Sequence, residues 1–203
     1  MELVAIRREV DADNSCLFSS IGYLIDRENF GSDSGLKFRQ IIVDYLLSDK
    51  FDKNLLELPK DEYIEYIINP KNWGGALEVK MFSEIFKTQI CCIDVKTNRT
   101  DIYGNEENYN NIIYLLYTGV HYDPLVMNFD IDCDPNTDIT IFDSYDMTIM
   151  ETMKSLVNEY MKKGDYVDFS SMKCDTCNMK FVNQDEAANH GVTYEHWNFS
   201  QVA

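Results

Sequence analysis

Histidine and basic residues are scarce in this sequence, and the shortage narrows what the protein can do. Its 203 residues include 3 histidines, and 18 Lys and Arg stand against 35 Asp and Glu, which gives a net charge of −17. Nucleic-acid backbones select basic surfaces, so no nucleic acid is expected as the main partner. A basic protein or peptide suits this surface better, because opposite charges steer the encounter.

Membrane and secretion signals are also missing. No apolar run approaches membrane-spanning length, and the N-terminus lacks a basic segment followed by an apolar one, so we expect no membrane partner. The 6 cysteines form no visible disulfide framework, since Cys174 and Cys177 have the spacing of a metal pair and Cys91 adjoins Cys92 in an apolar run. We therefore expect a reducing location, cytoplasmic and also nuclear.

The apolar pattern predicts helices around a small central sheet. No internal repeat or low-complexity tract interrupts it. Apolar spacing of three to four residues predicts helices over residues 16–25, 36–47, 61–68, 76–86 and 146–161. Apolar runs predict strands over residues 3–10, 89–95 and 112–117. The expected fold class is α+β (α/β-like), with a core domain over 1–161, a linker over 162–171 and a small C-terminal domain over 172–199.

Cys16 stands at the start of the first predicted helix, where Ser15 or Asn14 can act as the N-cap. A thiol must lose its proton to attack a carbonyl, and a helix N-terminus and a nearby imidazolium both favour the thiolate. A cysteine at this position is also commonly a small buried hydrophobe, so position alone does not make it a nucleophile.

One histidine is available to serve that cysteine, because the other two follow a cysteine pair at metal-site spacing. It is His121, within Gly119-Val120-His121-Tyr122-Asp123, and Asp123 could hold its imidazole in the working tautomer. The alternative for His121 is a loop histidine satisfied by its neighbours, and for Asp13 a cap or turn residue. The combination favours a thiol protease.

Three blocks of sequence resemble the ovarian-tumour (OTU) family of cysteine deubiquitinases. They are Asp-Asn-Ser-Cys-Leu-Phe at 13–18, Trp-Gly-Gly-Ala at 73–76 and Gly-Val-His-Tyr-Asp-Pro-Leu at 119–125. Their order and a closing Cys2His2 finger resemble the branch that works with the ubiquitin-selective AAA ATPase, over residues from about 4 to 199. The resemblance implies a papain-like domain that hydrolyses Gly–Lys isopeptide bonds of polyubiquitin through a thioester, without a catalytic cofactor.

The resemblance also implies a role for each site residue. Cys16 would be the nucleophile, His121 the general base and Asp123 the residue that orients it. Asp13 matches the family's other active-site aspartate, and the backbone N–H groups from Asp13 to Cys16 would face the oxyanion. The segments that line the channel for the ubiquitin tail match Trp73, Gly74, Gly75 and Val120. A narrow slot suits glycine, whereas Trp73 could equally be an ordinary core aromatic.

The resemblance leaves alternatives open. One is a ubiquitin-binding module without turnover, another is an isopeptidase for a ubiquitin-like modifier, and a third is a zinc-finger nucleic-acid adaptor, which the charge opposes. Members of the branch dock on the ATPase through an N-terminal ubiquitin-like domain. This sequence begins at the catalytic domain, so we expect ATPase binding to depend on such an additional domain.

The C-terminal pattern Cys174-x2-Cys177-x12-His190-x5-His196 predicts tetrahedral zinc, held by thiolates of a hairpin and imidazoles of a helix. The alternative is two coincidental pairs. Phe181 and Ala187 would supply the small core. Reading of nucleic acid is not expected, because residues 174–196 carry a single lysine, Lys180, against Asp175, Asp185, Glu186 and Glu195. A structural cap or a contact with protein is the better interpretation.

Overall fold

The fold is built on a six-stranded mixed sheet in the order β1-β5-β4-β2-β3, with a short β6 paired to β4. The computed structural model describes residues 3–48, 50–56, 58–166, 172–181, 184–196 and 199–201. The strands are β1 (Val4–Arg7), β2 (Gln89–Asp94), β3 (Thr100–Tyr103), β4 (Asn111–Tyr117), β5 (Tyr122–Asn128), β6 (Phe142–Asp143), β7 (Met172–Cys174) and β8 (Phe199–Gln201). The helices are α1 (Cys16–Ile25), α2 (Ser34–Leu47), α3 (Lys60–Ile68), α4 (Ala76–Phe86), α5 (Met147–Lys163) and α6 (Gln184–Tyr194).

Helices cover both faces of the sheet. Ile90 and Cys92 of β2 lie in one core cluster with residues of α1 to α4, while Cys91 and Ile93 lie in a second cluster with residues of α5. Successive strand residues face opposite sides, so a strand buried on both faces needs an unbroken apolar run. The parallel pair β2–β4 has that pattern, which is why both strands could be predicted. In the described ranges, no helix has the length and apolar composition of a membrane span.

The predicted α+β class is confirmed, although three strands of the central sheet were missed. Helix α4 has its predicted limits, and α5 ends at Lys163, inside the segment predicted as a linker, whose residues 167–171 lie outside the described ranges. Strand β5 was missed because Asp123 and Pro124 break its apolar pattern, and proline is disfavoured within sheets. Strands β3 and β6 have only 4 and 2 residues, too few for a periodic signal.

The buried face of α2 differs from the predicted one. Ile41 and Tyr45 were expected to point inward, yet Arg39 and Val43 are buried and those two are only partly so. Arg39 is 0% exposed and donates from Nη1 to Ile67 O at 2.8 Å. Its Nη2 donates to Asn14 O at 2.7 Å and Asn72 O at 2.6 Å.

Arg39 therefore joins the loop before α1 to the segment that follows α3. Burial lowers the pKa of Arg39 to about 10, so the guanidinium remains charged at neutral pH. Its Nε and Nη2 also lie 3.2 Å from Ser15 Oγ. Ser15 is the N-cap of α1, as predicted, but its hydroxyl makes no cap hydrogen bond and accepts from Arg39.

We expect Arg39→Met to lower the free energy of unfolding by about 3 kcal/mol, because three backbone carbonyls would lose their donor. Urea denaturation measures this change. The matched control is Arg99→Met, since the Arg99 side chain is 71% exposed and pairs only with Asp101, and a change within about 0.5 kcal/mol is expected there. Similar unfolding midpoints for the two variants would contradict the prediction.

Candidate active site and metal site

A tight hairpin between β4 and β5 brings His121 and Asp123 together. The last strand pair is Tyr117–Tyr122, and Thr118 N donates to His121 O at 3.0 Å across the turn. Gly119 has φ of +103°, a conformation that residues with a side chain rarely adopt, so the turn requires glycine. His121 therefore lies in the turn between the two strands, directly before the first residue of β5. Residues two apart on an extended chain share a face, which sets His121 Nε2 2.9 Å from Asp123 Oδ1.

Cys16 enters the same site as the first residue of α1. The preceding loop folds on itself: Ser15 N donates to Asp13 Oδ1 at 2.8 Å, and Cys16 N to Asp13 O at 3.3 Å. Asp13 N in turn donates to Asp11 O at 2.8 Å. The Asp13 side chain thus shapes the turn ahead of the cysteine. Cys16 is 6% exposed, so a reaction partner reaches it along a narrow approach.

The pKa of His121 is raised above its ordinary value, and the pKa of Asp123 is lowered below its own. Burial by itself lowers the pKa of His121, but hydrogen bonding to Asp123 and Cys16 outweighs it and raises the pKa to about 10. Burial raises the pKa of Asp123, yet hydrogen bonds from His121 and Val10 N–H outweigh that, and its pKa falls below the ordinary value. An imidazolium therefore lies between a buried carboxylate and the sulfur of Cys16, an arrangement suited to nucleophilic catalysis by cysteine.

The predicted channel residues lie on two sides of the site. Trp73 Nε1 donates to Asn14 Oδ1 at 2.5 Å, which attaches the 73–75 loop to the loop before Cys16. A Cβ added to Gly74 would lie 2.7 Å from Phe18 Cζ, so the close approach to α1 requires glycine. A Cβ on Gly75 would meet nothing within 4 Å, so this glycine borders open space.

Glu78, which was not predicted from the sequence, holds the 73–75 loop through a hydrogen bond. Its Oε2 accepts from Gly75 N at 2.6 Å, and its other oxygen accepts from the Tyr63 hydroxyl. Burial raises the pKa of Glu78 to about 7. The buried position of Arg39 was not predicted either. Its place directly after Phe38, on the apolar face of α2, could have indicated it.

The four predicted metal ligands converge. One ligand atom from each of Cys174, Cys177, His190 and His196 lies within 4.8 Å of the other three. Cys177 Sγ is 3.4 Å from His190 Nε2, a separation that suits two ligands of one tetrahedral ion. The residues fit a metal, and Thr176 N donates to Cys174 Sγ at 3.4 Å, as expected for a thiolate ligand.

The metal-binding segment has its predicted core and packs on the candidate channel. Phe181 and Ala187 are buried as expected, and His190 lies on α6, but His196 lies beyond the last helical residue, Tyr194. The finger core, defined as Met172, Cys174, Phe181 and Ala187, contacts both Trp73 and Val120. The Trp73 ring also meets Phe199 edge-on at 6.3 Å between centroids. The finger therefore forms a third side of the site.

Comparison with known proteins identifies the family. A family model described as OTU-like cysteine protease matches residues 11–123. "Ubiquitin thioesterase OTU1" of Dictyostelium discoideum is 36% identical over 97% of this chain, which spans 61% of that protein. "OVARIAN TUMOR DOMAIN-containing deubiquitinating enzyme 2" of Arabidopsis thaliana is 31% identical over 99% of both chains.

A solved structure agrees with these sequence matches. It is described as "Structure of Ovarian Tumor (OTU) domain in complex with Ubiquitin", has a TM-score of 0.68 and 27% identity, and covers 82% of this chain and 92% of its own. The alignments with the two relatives cover nearly the whole chain and so include the Cys–His segment. The resemblance seen in the sequence is confirmed, and this chain belongs to the OTU family of cysteine proteases, in the branch with a C-terminal Cys–His finger.

Proposed function

We propose that this chain is a deubiquitinating isopeptidase that hydrolyses Gly–Lys isopeptide bonds of polyubiquitin through a thioester on Cys16. The observation that carries the proposal is the arrangement of Cys16, His121 and the buried Asp123, with an imidazolium between the cysteine sulfur and the carboxylate. The relatives' names and the ubiquitin complex of a similar OTU domain support the choice of substrate. The net charge of −17 suits a basic partner surface.

The reaction would follow from the geometry in two halves. The Cys16 thiolate attacks the isopeptide carbonyl carbon, and the C–N bond breaks as His121 gives its proton to the departing lysine amine. In the second half His121 takes a proton from water, whose oxygen attacks the thioester carbonyl; the C–S bond breaks, which releases the carboxylic acid and restores the Cys16 thiolate beside the imidazolium. Asp123 stabilises the imidazolium and fixes its orientation throughout.

The oxyanion would be stabilised by backbone N–H groups of the loop before α1. The N–H groups of Asp13 and Ser15 donate within the loop at 2.8 Å, whereas Cys16 N–H makes a longer bond of 3.3 Å to Asp13 O, so we infer that the N–H groups of Asn14 and Cys16 face the oxyanion. Donors of this kind contribute about 3–4 kcal/mol each in measured cases. Asp13 would act by holding the loop in shape.

The ubiquitin tail would run between the 73–75 loop and Val120. A Gly-Gly tail needs a slot with little side-chain volume, which the open space beside Gly75 supports. The finger core behind Trp73 and Val120 would keep both sides of the slot in place. We further infer that the finger metal is zinc, from its two thiolates and two imidazoles.

The remaining parts of the proposal concern partners and location. Docking on the ubiquitin-selective AAA ATPase would use a domain outside this sequence. A reducing compartment such as the cytosol fits a reaction that needs a free Cys16 thiol, and all six cysteines are unpaired.

We expect wild-type protein to form a covalent adduct with ubiquitin carrying a C-terminal electrophile, and Cys16→Ala to lose both the adduct and di-ubiquitin hydrolysis while still binding ubiquitin. Gel shift, a panel of di-ubiquitins and isothermal calorimetry measure these properties. Cys133→Ala is the control, since Cys133 lies outside the site and should keep full activity. Adducts with a ubiquitin-like modifier alone would redirect the proposal to that substrate, and binding without any adduct would indicate a non-catalytic module.

We expect the pH dependence of kcat/KM to reflect the raised pKa of His121. The ordinary pKa of a histidine is 6.5, whereas that of His121 is raised to about 10. The imidazolium therefore persists at neutral pH, and activity should fall only as the pH rises through about 10. The stability that this imidazolium contributes to the folded state should be complete below pH 6.5 and should be lost as the pH rises from 6.5 through about 10. Asp123→Asn removes the charge that raises this pKa, so the falling limb should move to lower pH and turnover should drop by up to about 10⁴-fold.

Hydrolysis of a fluorogenic ubiquitin substrate between pH 5 and pH 10.5 provides these profiles, with circular dichroism to verify folding. A limb at the same pH in wild type and Asp123→Asn would contradict the assignment of Asp123. In that event the orienting role would pass to Asp13, which Asp13→Asn would test.

We expect one zinc ion per chain by mass spectrometry, and a change in Trp73 fluorescence when a chelator removes it, because the indole packs on the finger core. The chain has 2 tryptophans, so the experiment uses Trp197→Phe, in which Trp73 alone reports. Cys174→Ser should reproduce the change without chelator. Zinc loss with unaltered Trp73 emission would show that the finger does not support the channel.

A further inference from the structure

We propose that Arg7 is a positioning residue of the active site: its guanidinium fixes the second oxygen of the Asp123 carboxylate and limits how strongly that carboxylate holds the His121 proton. The catalytic meaning of this inference depends on the proposed function. The contact itself does not.

The two oxygens of Asp123 have different partners. Oδ1 lies 2.9 Å from His121 Nε2 and accepts from Val10 N at 3.0 Å, while Oδ2 accepts from Arg7 Nε at 2.7 Å. The carboxylate is 0% exposed, so water cannot replace a lost donor. Rotation of the carboxylate away from His121 would break the Arg7 bond, and Arg7 therefore helps to keep Oδ1 on the imidazole.

Arg7 is itself held in place from the other side. Its Nη1 donates to the Asp165 carboxylate, which follows the end of α5, and its guanidinium lies 4.9 Å from the centre of the Tyr160 ring. Only 9% of the Arg7 side chain is exposed. The two carboxylates more than offset the cost of burial and raise the Arg7 pKa above its ordinary value, so the cation persists at every working pH.

A permanent cation on Oδ2 weakens the pull of Asp123 on the His121 proton. A positive charge beside the carboxylate opposes its attraction for the imidazolium proton, so we expect removal of the Arg7 charge to raise the His121 pKa by about one unit, which is about 1.4 kcal/mol. Without Arg7 the imidazolium would be held more tightly and would give its proton less readily to the leaving amine. The charged and titratable groups around this pair come from three parts of the chain, the β1 segment, the start of α1 and the end of α5: Arg7, Glu9, Cys16, Tyr160 and Asp165.

Arg8, the first residue after β1, offers a matched control, and its N–H still donates to Pro124 O of β5 at 3.1 Å. Its Nε and Nη2 bind the buried carboxylate of Asp138 at 2.8 and 2.9 Å, with Tyr23 as a further donor. Neighbouring strand residues face opposite sides of the sheet, so this second Arg–Asp pair lies away from His121. Both pairs stabilise the attachment of β1, but only the Arg7 pair shares its carboxylate with the site.

Histidine NMR provides the first test, because the chain has 3 histidines and the His121 signals can be assigned by comparison with His121→Ala. The titration is made in Cys16→Ala, where loss of the thiol brings the His121 pKa into an accessible range. We expect Arg7→Gln to raise that pKa by about one unit. Arg7→Lys, which keeps the charge, and Arg8→Gln should leave it within a few tenths of a unit.

Kinetics with an intact Cys16 provide the second test. We expect Arg7→Gln to lower kcat for di-ubiquitin hydrolysis about tenfold with little change in KM, as for a misplaced catalytic group. Added to Asp123→Asn, it should cost nothing further, because both changes remove one interaction. Arg8→Gln should lower the melting temperature instead, and any loss of activity should add to that of Asp123→Asn.

Two results would overturn the inference. One is a His121 pKa that is unchanged in Arg7→Gln, or shifted equally in Arg8→Gln; the other is a loss in Arg7→Gln that adds in full to that of Asp123→Asn. If Arg7→Gln does not fold, the kinetic comparison of Arg7→Lys with Arg8→Lys decides the question. Lysine keeps the charge but lacks the Nε donor that fixes Asp123 Oδ2, so Arg7→Lys should lower kcat and Arg8→Lys should not. Wild-type protein that forms no ubiquitin adduct would refute the proposed function, whereas the titration would still decide the role of Arg7.

Discussion

The buried carboxylate of Asp123 is the interaction on which the site depends. It accepts from the imidazole of the β4–β5 hairpin, from the backbone after β1 and from the Arg7 side chain. A carboxylate without solvent is stable only when its oxygens are fully hydrogen-bonded and its charge is compensated. The same contacts that make the charge tolerable therefore fix β1, the hairpin and the His121 ring relative to one another.

A buried cation does the corresponding work on the cysteine side. Arg39 binds carbonyls from the loop before α1, from α3 and from the segment ahead of Trp73. Since a lost partner would leave a buried polar group unsatisfied, Arg39 holds the loop that precedes Cys16 in place. The buried Asp123 carboxylate and the buried Arg39 guanidinium thus keep His121 and Cys16 in place. The exposed surface remains strongly acidic.

The finger belongs to the architecture of the site as well as to the C-terminal segment. Its core meets Trp73 on one side of the candidate channel and Val120 on the other. A domain of this size has too small an apolar core to be stable alone, and a metal commonly supplies the missing free energy. Metal binding would then stabilise the walls of the channel along with the finger.

The sequence by itself determined the local features. A separation of two residues on a nearly extended chain brings His121 and Asp123 together, a helix start presents Cys16, and fixed spacing predicts the metal ligands, because each of these depends on a few bonded neighbours. Only the tertiary structure could pair Arg7 with Asp123 across 116 residues, or join Trp73 to Asn14 across 59. Such pairs depend on strand register and on which polar groups packing leaves without water. A charged residue in the sequence does not reveal whether it will be solvated or buried against a partner, so the contacts that tune the site were decided by the fold.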